Sequence, residues 1–315
     1  EDAAAAVEEV APESLPDVAQ EPVDYRLVTD IQELDQVIER CRSEGSFAFD
    51  TETNSLDQIG ATVVGCSISV AAAEAWYIPL RSPGKEPPIA REDVLERLRP
   101  LLEDPTIGKI GQNIKFDSQV MRNEGVLLSG ISGDPMIASY LINPVRGRYG
   151  LDALVAERLG HTMIPIQQII GEQASETSMD QIEPEKICHY AAEDADWTLR
   201  LHRDLAQEIE QYHLKEVFEE IELPLVEVLV SMEREGISID LKRLKEQQRE
   251  LTTELEQIEA KIHKQAGGTF NIASPKQLQK ILFEELELPT KGLSKTKTGV
   301  SVKAETLEEL ASRHP

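Results

Sequence analysis

Ser46-Phe47-Ala48-Phe49-Asp50-Thr51-Glu52-Thr53 carries three consecutive apolar residues followed by two carboxylates one residue apart. A strand that is apolar on both faces is covered on both faces, so this one belongs at the centre of a sheet with helices above and below it. Its neighbours agree. Upstream, Tyr25–Val28 reads as a short strand and 31–43 as a helix. Downstream, Thr62–Val70 and Ala75–Leu80 are strand candidates joined by a short Ala/Glu turn, which predicts an antiparallel hairpin. Arg91–Leu102 has helical spacing, with Val94, Leu95, Leu98, Leu101 and Leu102 on one side. Ile107–Gly111 reads as a short strand, and helices are expected near 114–124, 134–142, 150–159 and 184–212. Early strands followed by alternating helix and strand describe an α/β domain with a mixed sheet flanked by helices.

That domain is expected to span 25–213, after an acidic linker at 1–24 that has no apolar period and reads as disordered. From 214 to 315 the pattern is mostly helical. Leu223, Val226, Leu229, Val230 and Met232 form an apolar stripe. A long helix is expected at about 241–266, where Leu244, Leu251, Leu255, Ile258 and Ile262 repeat in threes and fours. Either a short coiled coil or an antiparallel helical arm explains that repeat. Ser274-Pro275 is an N-cap and N1 pair for a helix at 275–286, and a last helix is expected at about 303–312. Between these two helices runs a basic segment with Lys291, Lys295 and Lys297. It is nearly without apolar anchors and is the strongest phosphate-contact candidate in the chain.

Composition narrows the function classes. The 315 residues carry 32 basic and 58 acidic side chains, a net charge of −26, which excludes an ordinary nonspecific nucleic-acid binder. Residues 1–25 hold a net −8, residues 26–239 a net −19, and residues 240–315 a net +1. An acidic middle can act on a polyanion if its carboxylates hold divalent cations. Three cysteines (Cys41, Cys66, Cys188) are odd in number and far apart, which argues against a disulfide framework and for a reducing compartment. No apolar run approaches the roughly 18 residues of a membrane span. The start EDAAAAVEEV lacks the basic region of a signal peptide, and the chain reads as a piece of a longer protein.

The carboxylates carry the chemistry. Asp50 and Glu52 share one face of a strand, and ionising two adjacent carboxylates without a cation is unfavourable. Asp117 follows Gly111-Gln112-Asn113-Ile114-Lys115-Phe116. Tyr190 and Asp194, in Tyr190-Ala-Ala-Glu-Asp194, lie one helical turn apart on one face. Glu193 and Asp196 are expected to point elsewhere, into solvent. Taken singly, each of these is as well explained by a cap, a turn or a surface hydrogen bond.

Taken in order, Phe49–Thr53, Gly111–Asp117, Ser139–Pro144, Gly150–Leu154 and Tyr190–Asp196 resemble the DEDD exonucleases of the RNase H-like fold, in their tyrosine subclass. The resemblance is closest to the 3′–5′ proofreading domains of bacterial (family A) DNA polymerases. Glu222–Val226, Met232–Gly236 and Phe270–Leu278 resemble the start of the thumb of that family, and Lys295–Gly299 its tip. The resemblance implies two-metal hydrolysis of the 3′-terminal phosphodiester of DNA. Asp50, Glu52 and Asp194 would ligate one Mg²⁺ or Mn²⁺. Asp50 would bridge to a second ion, whose water shell Asp117 holds, and Tyr190 would orient the attacking water. Thr53, Leu56, Gln112, Asn113 and Ile166 would line the pocket for the terminal nucleotides, with Lys291, Lys295 and Lys297 adding phosphate contacts. It also implies single-stranded 3′ ends as partner, no membrane, a monomer, and a bacterial cytoplasmic setting at the nucleoid.

The chain departs from the family at 164–173, where an aromatic residue and a basic Gly-Lys-Gly loop are usual and Ile166 and Glu172 stand instead. This weakens the expected grip on the strand and leaves the carboxylate set complete. Two alternatives remain: a silent DNA-positioning scaffold, or an RNA exonuclease like ribonuclease D.

Overall fold

The computed structural model describes residues 22–171, 178–296 and 299–311. The expected linker falls almost wholly outside them, as do Glu172 and Lys297. The chain divides into two compact units at Gly236/Ile237.

The first unit is built on a six-stranded mixed sheet of order β1-β4-β3-β2-β5-β6. The strands are β1 (Asp24–Leu27), β2 (Ser46–Thr53), β3 (Val63–Ala71), β4 (Glu74–Pro79), β5 (Gly108–Ile110) and β6 (Ile131–Gly133). β3 runs antiparallel to both β2 and β4, and the pairs β1–β4, β2–β5 and β5–β6 are parallel. The central position expected for 46–53 is therefore where β2 lies. β6 has no counterpart in the sequence reading, because three residues, Ile-Ser-Gly, are too few to show an alternation.

Helices cover both faces. Over one lie α1 (Ile31–Glu44), α2 (Arg91–Leu102) and α3 (Ile114–Asn123), which share a core with Phe47 and Phe49 of β2. α4 (Pro135–Ile142) and α5 (Leu151–Leu159) follow, then the single turn α6 (Gln167–Ile170) and the long α7 (Pro184–Gln211). α7 packs along β1 to β4 on the other face, where Ala48 meets Leu199. Local chemistry sets these boundaries. Asp30 caps α1 through the Glu33 N–H at 2.9 Å, and Gly45, at φ 73°, turns the chain straight from α1 into β2.

The first compact unit continues past 213. α8 (Lys215–Val217), a π-helical turn (Phe218–Glu222) and α9 (Leu223–Glu235) continue the first unit, because Phe218 and Leu223 enter one of its clusters and Val226 and Val230 another. In the second unit, α10 (Leu241–Gln265) buries none of its residues, and Leu244, Leu251, Leu255 and Ile258 are exposed along it. α11 (Pro275–Gln279) is capped by Ser274 and passes into π-helical geometry over Lys280–Glu285. β7 (Lys295–Thr296) and β8 (Gly299–Val300) pair as a small hairpin before α12 (Ala304–Ala311). The basic segment does have an apolar anchor, the buried Leu293. No helix among the described residues is long and apolar enough to cross a membrane.

One buried residue joins two helix starts. Asp134 accepts from the N–H groups of Asn113 (3.2 Å) and Ile114 (3.0 Å) at the head of α3, and of Met136 (2.9 Å) and Ile137 (3.3 Å) in α4. Burial raises its carboxyl to about 6, against those four donors. Asp134→Ala would leave buried donors without an acceptor. A loss of about 2–3 kcal/mol is expected, read as a lower urea midpoint at unchanged m-value. A shift below about 0.5 kcal/mol would show that the two helix starts do not depend on it.

Candidate active site

Asp50 and Glu52 follow Ala48 on the α7 side of β2, as period-2 geometry requires. From α7 comes Asp194. Ligand oxygens of Asp50, Glu52 and Asp194 all lie within 4.8 Å of one another, and Glu52 Oε1 is buried with no hydrogen-bond partner among the described residues. Tyr190, one turn before Asp194, sets its phenol against that carboxylate.

Asp117 reaches the same region from the other side of the sheet. β5 ends at Ile110, opposite Ala48, so β2 runs on with no neighbour along that edge. The first turn of α3 takes the space, and buried Asp117 accepts a 2.6 Å bond from the Thr51 hydroxyl. The crevice beyond the carboxyl ends of parallel strands is a common place for a site in open α/β sheets. Thr51 sits between the two carboxylates of its motif, yet nothing in the sequence marks it as the partner of Asp117.

The electrostatics are those of an acidic cluster short of positive charge. Burial raises Asp50 well above the usual carboxylate range, and Asp194 adds to the rise. Glu52 and Asp117 are raised by burial first and by the neighbouring carboxylates, Asp50 foremost, second. Asp194 is pushed up to about 8, by burial and then by Glu193, while the Tyr190 phenol pulls it down. A carboxyl whose folded pKa is raised stabilises the fold fully below its unfolded value, near 4, and that contribution is lost as pH rises through the folded value. In EDTA, the unfolding temperature should therefore fall between about pH 4 and pH 8. Asp194→Asn should flatten the slope, and equal slopes for variant and wild type would refute the assignment.

Two acidic residues expected in solvent are buried instead. Glu193 accepts from the Ile164 N–H at 2.6 Å and lies 2.9 Å from His161 Nε2, and that imidazole stacks on Trp197 with ring centroids 4.1 Å apart. Asp196 takes the Tyr25 hydroxyl (2.7 Å), the Ala73 N–H (3.0 Å) and Arg200 Nε (2.9 Å). Together they bind α7 to β1, to the β3–β4 turn and to the 161–164 segment. Apart from Arg200, one helical turn on, these partners lie far away in sequence, where no local period could reveal them.

The remaining candidates are spread out. Thr53 donates to Ser55 O at 2.9 Å, and Leu56 is 93% exposed just beyond β2. Gln112 spends its amide on Tyr149 O at 2.7 Å, bracing the loop before α5. Asn113 takes the left-handed conformation, φ 57°, that starts α3. Ile166 is exposed immediately before α6. Lys291 and Lys295 belong to the second unit, on a turn and on β7.

Residues 25–210 match the family model described as 3′–5′ exonuclease. The chain belongs to that family. Residues 241–315 match the model of DNA polymerase family A, so the exonuclease domain is followed by the start of a family A polymerase. Among curated relatives, DNA polymerase I of Pseudomonas aeruginosa is 41% identical over 93% of this chain and 33% of its own length. DNA polymerase I of Rhizobium leguminosarum is 37% identical over 91% of this chain and 30% of its own. The chain thus spans about a third of the length of these relatives. The POL domain of Pol1 from M. smegmatis, solved in complex with DNA primer-template and dNTP, superposes with a TM-score of 0.72 at 23% identity. That match covers 92% of this chain and 45% of the solved one, and it supports the fold.

Proposed function

We propose that the first unit removes nucleotides from the 3′ end of DNA by metal-assisted hydrolysis of the terminal phosphodiester, releasing nucleoside monophosphates. The observation that carries this is the convergence of Asp50, Glu52 and Asp194 within 4.8 Å, in a chain of the 3′–5′ exonuclease family. Three buried or half-buried carboxylates, one with an oxygen that has no donor among the described residues, fit a divalent cation. An all-oxygen set suits Mg²⁺ or Mn²⁺ better than zinc. Asp50, Glu52 and Asp194 would hold one ion, and Asp50 would reach a second whose water shell Asp117 holds. Bound there, divalent cations acidify a water for attack and stabilise the leaving 3′ oxygen.

The protein groups have separate tasks. Tyr190 orients the attacking water and holds Asp194 in place. Thr51 keeps one Asp117 oxygen occupied, which fixes the direction of the other. Leu56 and Ile166 offer apolar surface to a terminal base, while Thr53, Gln112 and Asn113 line the approach. Separately, within the second unit, Lys291 and Lys295 are candidates for phosphate contacts. The substrate is a single-stranded 3′ terminus, in a bacterial cytoplasm.

The test is incubation of 5′-labelled single-stranded DNA, and of RNA of the same sequence, with Mg²⁺, Mn²⁺ or EDTA. Stepwise shortening of DNA that EDTA stops is the expected result. No shortening with either metal would leave a positioning scaffold, and a preference for RNA would move the reading toward the ribonuclease D class.

A further inference from the structure

The sheet beneath the carboxylates has a polar floor that neither the sequence motifs nor the proposed metal ligands use. On β3, Ser67 stands directly opposite Asp50, and Gly65 directly opposite Glu52. Direct partners in an antiparallel pair put their side chains on one face, with Cβ atoms about 4.5–5.5 Å apart. Ser67 is in turn paired with Tyr77 of β4, and the Tyr77 ring leans diagonally across Gly65. A Cβ built on Gly65 would overlap the Tyr77 phenol oxygen. The phenol thus stands where a side chain at position 65 would stand, beside Glu52.

Tyr77 is 0% exposed, and its hydroxyl has no hydrogen-bond partner among the described residues. The same holds for Ser67 Oγ, also 0% exposed, and for Glu52 Oε1. Buried polar atoms without partners are rare, and three on one small patch call for a common cause. Packing does not supply one. The Tyr77 ring lies in an apolar cluster with Val64, Met179, Ile187, Cys188 and Ala191, where a phenylalanine would pack as well without burying a hydroxyl.

We infer that Tyr77 is a positioning residue for Glu52: its phenol donates to one carboxylate oxygen and aims the other at the cation site, with Ser67 doing the same for Asp50. The terminal torsion of Glu52 is broad and soft, so its carboxylate is free to turn toward the phenol that stands over Gly65, its direct cross-strand partner. A ligating carboxylate needs such a donor, because the oxygen that faces away from the cation is otherwise buried unpaired. Gly65 is then part of the same device, since any side chain there would displace the phenol.

The inference rests on the cation site proposed above, and the experiment separates the two. Mn²⁺ binding to the whole chain is followed by electron paramagnetic resonance or calorimetry, for wild type, Tyr77→Phe and Asp50→Ala, with unfolding temperatures in EDTA alongside. Tyr77→Phe should weaken Mn²⁺ affinity about tenfold, the usual scale for losing a partner of a metal ligand. Its unfolding temperature in EDTA should be unchanged or higher, because an unpaired buried hydroxyl is removed. In a Glu52→Gln background, Tyr77→Phe should change nothing further. Wild-type Mn²⁺ affinity in Tyr77→Phe, or an undiminished effect in the Glu52→Gln background, overturns the inference while the cation site stands. Wild-type affinity in Asp50→Ala removes the cation site, and the inference with it.

Discussion

Asp50→Ala is expected to lower the rate of 3′-terminal nucleotide release by at least about 10²–10³-fold, the scale on which removal of a group that stabilises developing charge is felt. Asp50 is the most exposed to such a loss because it stands between the two halves of the site. On one side its carboxylate closes the group with Glu52 and Asp194, and on the other it is, after burial, the first charged group to raise Asp117. Alanine would remove a ligand shared by both proposed ions. The same change should not harm the fold. It deletes one member of a cluster in which burial and mutual repulsion hold the carboxyls well above their ordinary range. The unfolding temperature in EDTA near pH 8 should therefore rise even as activity disappears, a trade expected where a site stores unfavourable charge. A variant with wild-type rates would sink the metal mechanism. One that is inactive but also unfolded would place Asp50 in the architecture instead.

Asp194→Ala should approach the same loss, whereas Tyr190→Phe should cost roughly tenfold. The two residues share a face of α7, and their roles differ in kind. Asp194 supplies an oxygen to the three-carboxylate group, and nothing else on α7 can replace it. Tyr190 supplies one oriented hydrogen bond, worth about 1–1.5 kcal/mol. Phenylalanine keeps the ring, which packs against the cluster around Tyr77 and Met179, so the helix should stay in place. Rates measured at saturating Mg²⁺ on one DNA substrate decide the matter. Equal losses would mean that Tyr190 does more than orient water and hold Asp194.

The position of these residues depends on groups outside the site. α7 is fixed through Glu193 and Asp196, which alternate with Asp194 along the helix and point to different partners. α3, which carries Asp117, is fixed at its head by Asp134. None of these three acids is needed to ligate a cation. Two of them still act on the site through their charge: Glu193 is the first electrostatic cause of the high Asp194 value, and Asp134 adds to that of Asp117.

Much of this was legible in order and type from the sequence. The apolar run ending in Asp50-Thr-Glu52 placed β2 at the centre of a mixed sheet, because a strand apolar on both faces can only be covered on both. Helical spacing marked α2, α3 and α7 to within one or two residues, and the carboxylates and Tyr190 were named through the family resemblance that their order carries. Tertiary structure decided the rest, for one physical reason: burial and hydrogen bonding depend on what arrives from elsewhere in the chain. Asp196 looks solvated by helical period, but Tyr25, 171 positions away, lies across it. Thr51 should face away from Asp50 and Glu52, and it does, onto an Asp117 that reaches it only because β5 is short. Tyr77 reads as an ordinary strand aromatic until the pairing of β2, β3 and β4 sets its hydroxyl over Gly65 and beside Glu52. The first compact unit runs on to Gly236, past the family match at 25–210, because Val226 and Val230 join a core otherwise made by the first half of the chain. Periodicity is a property of neighbours in sequence, and it carries no record of which distant surface a residue will meet.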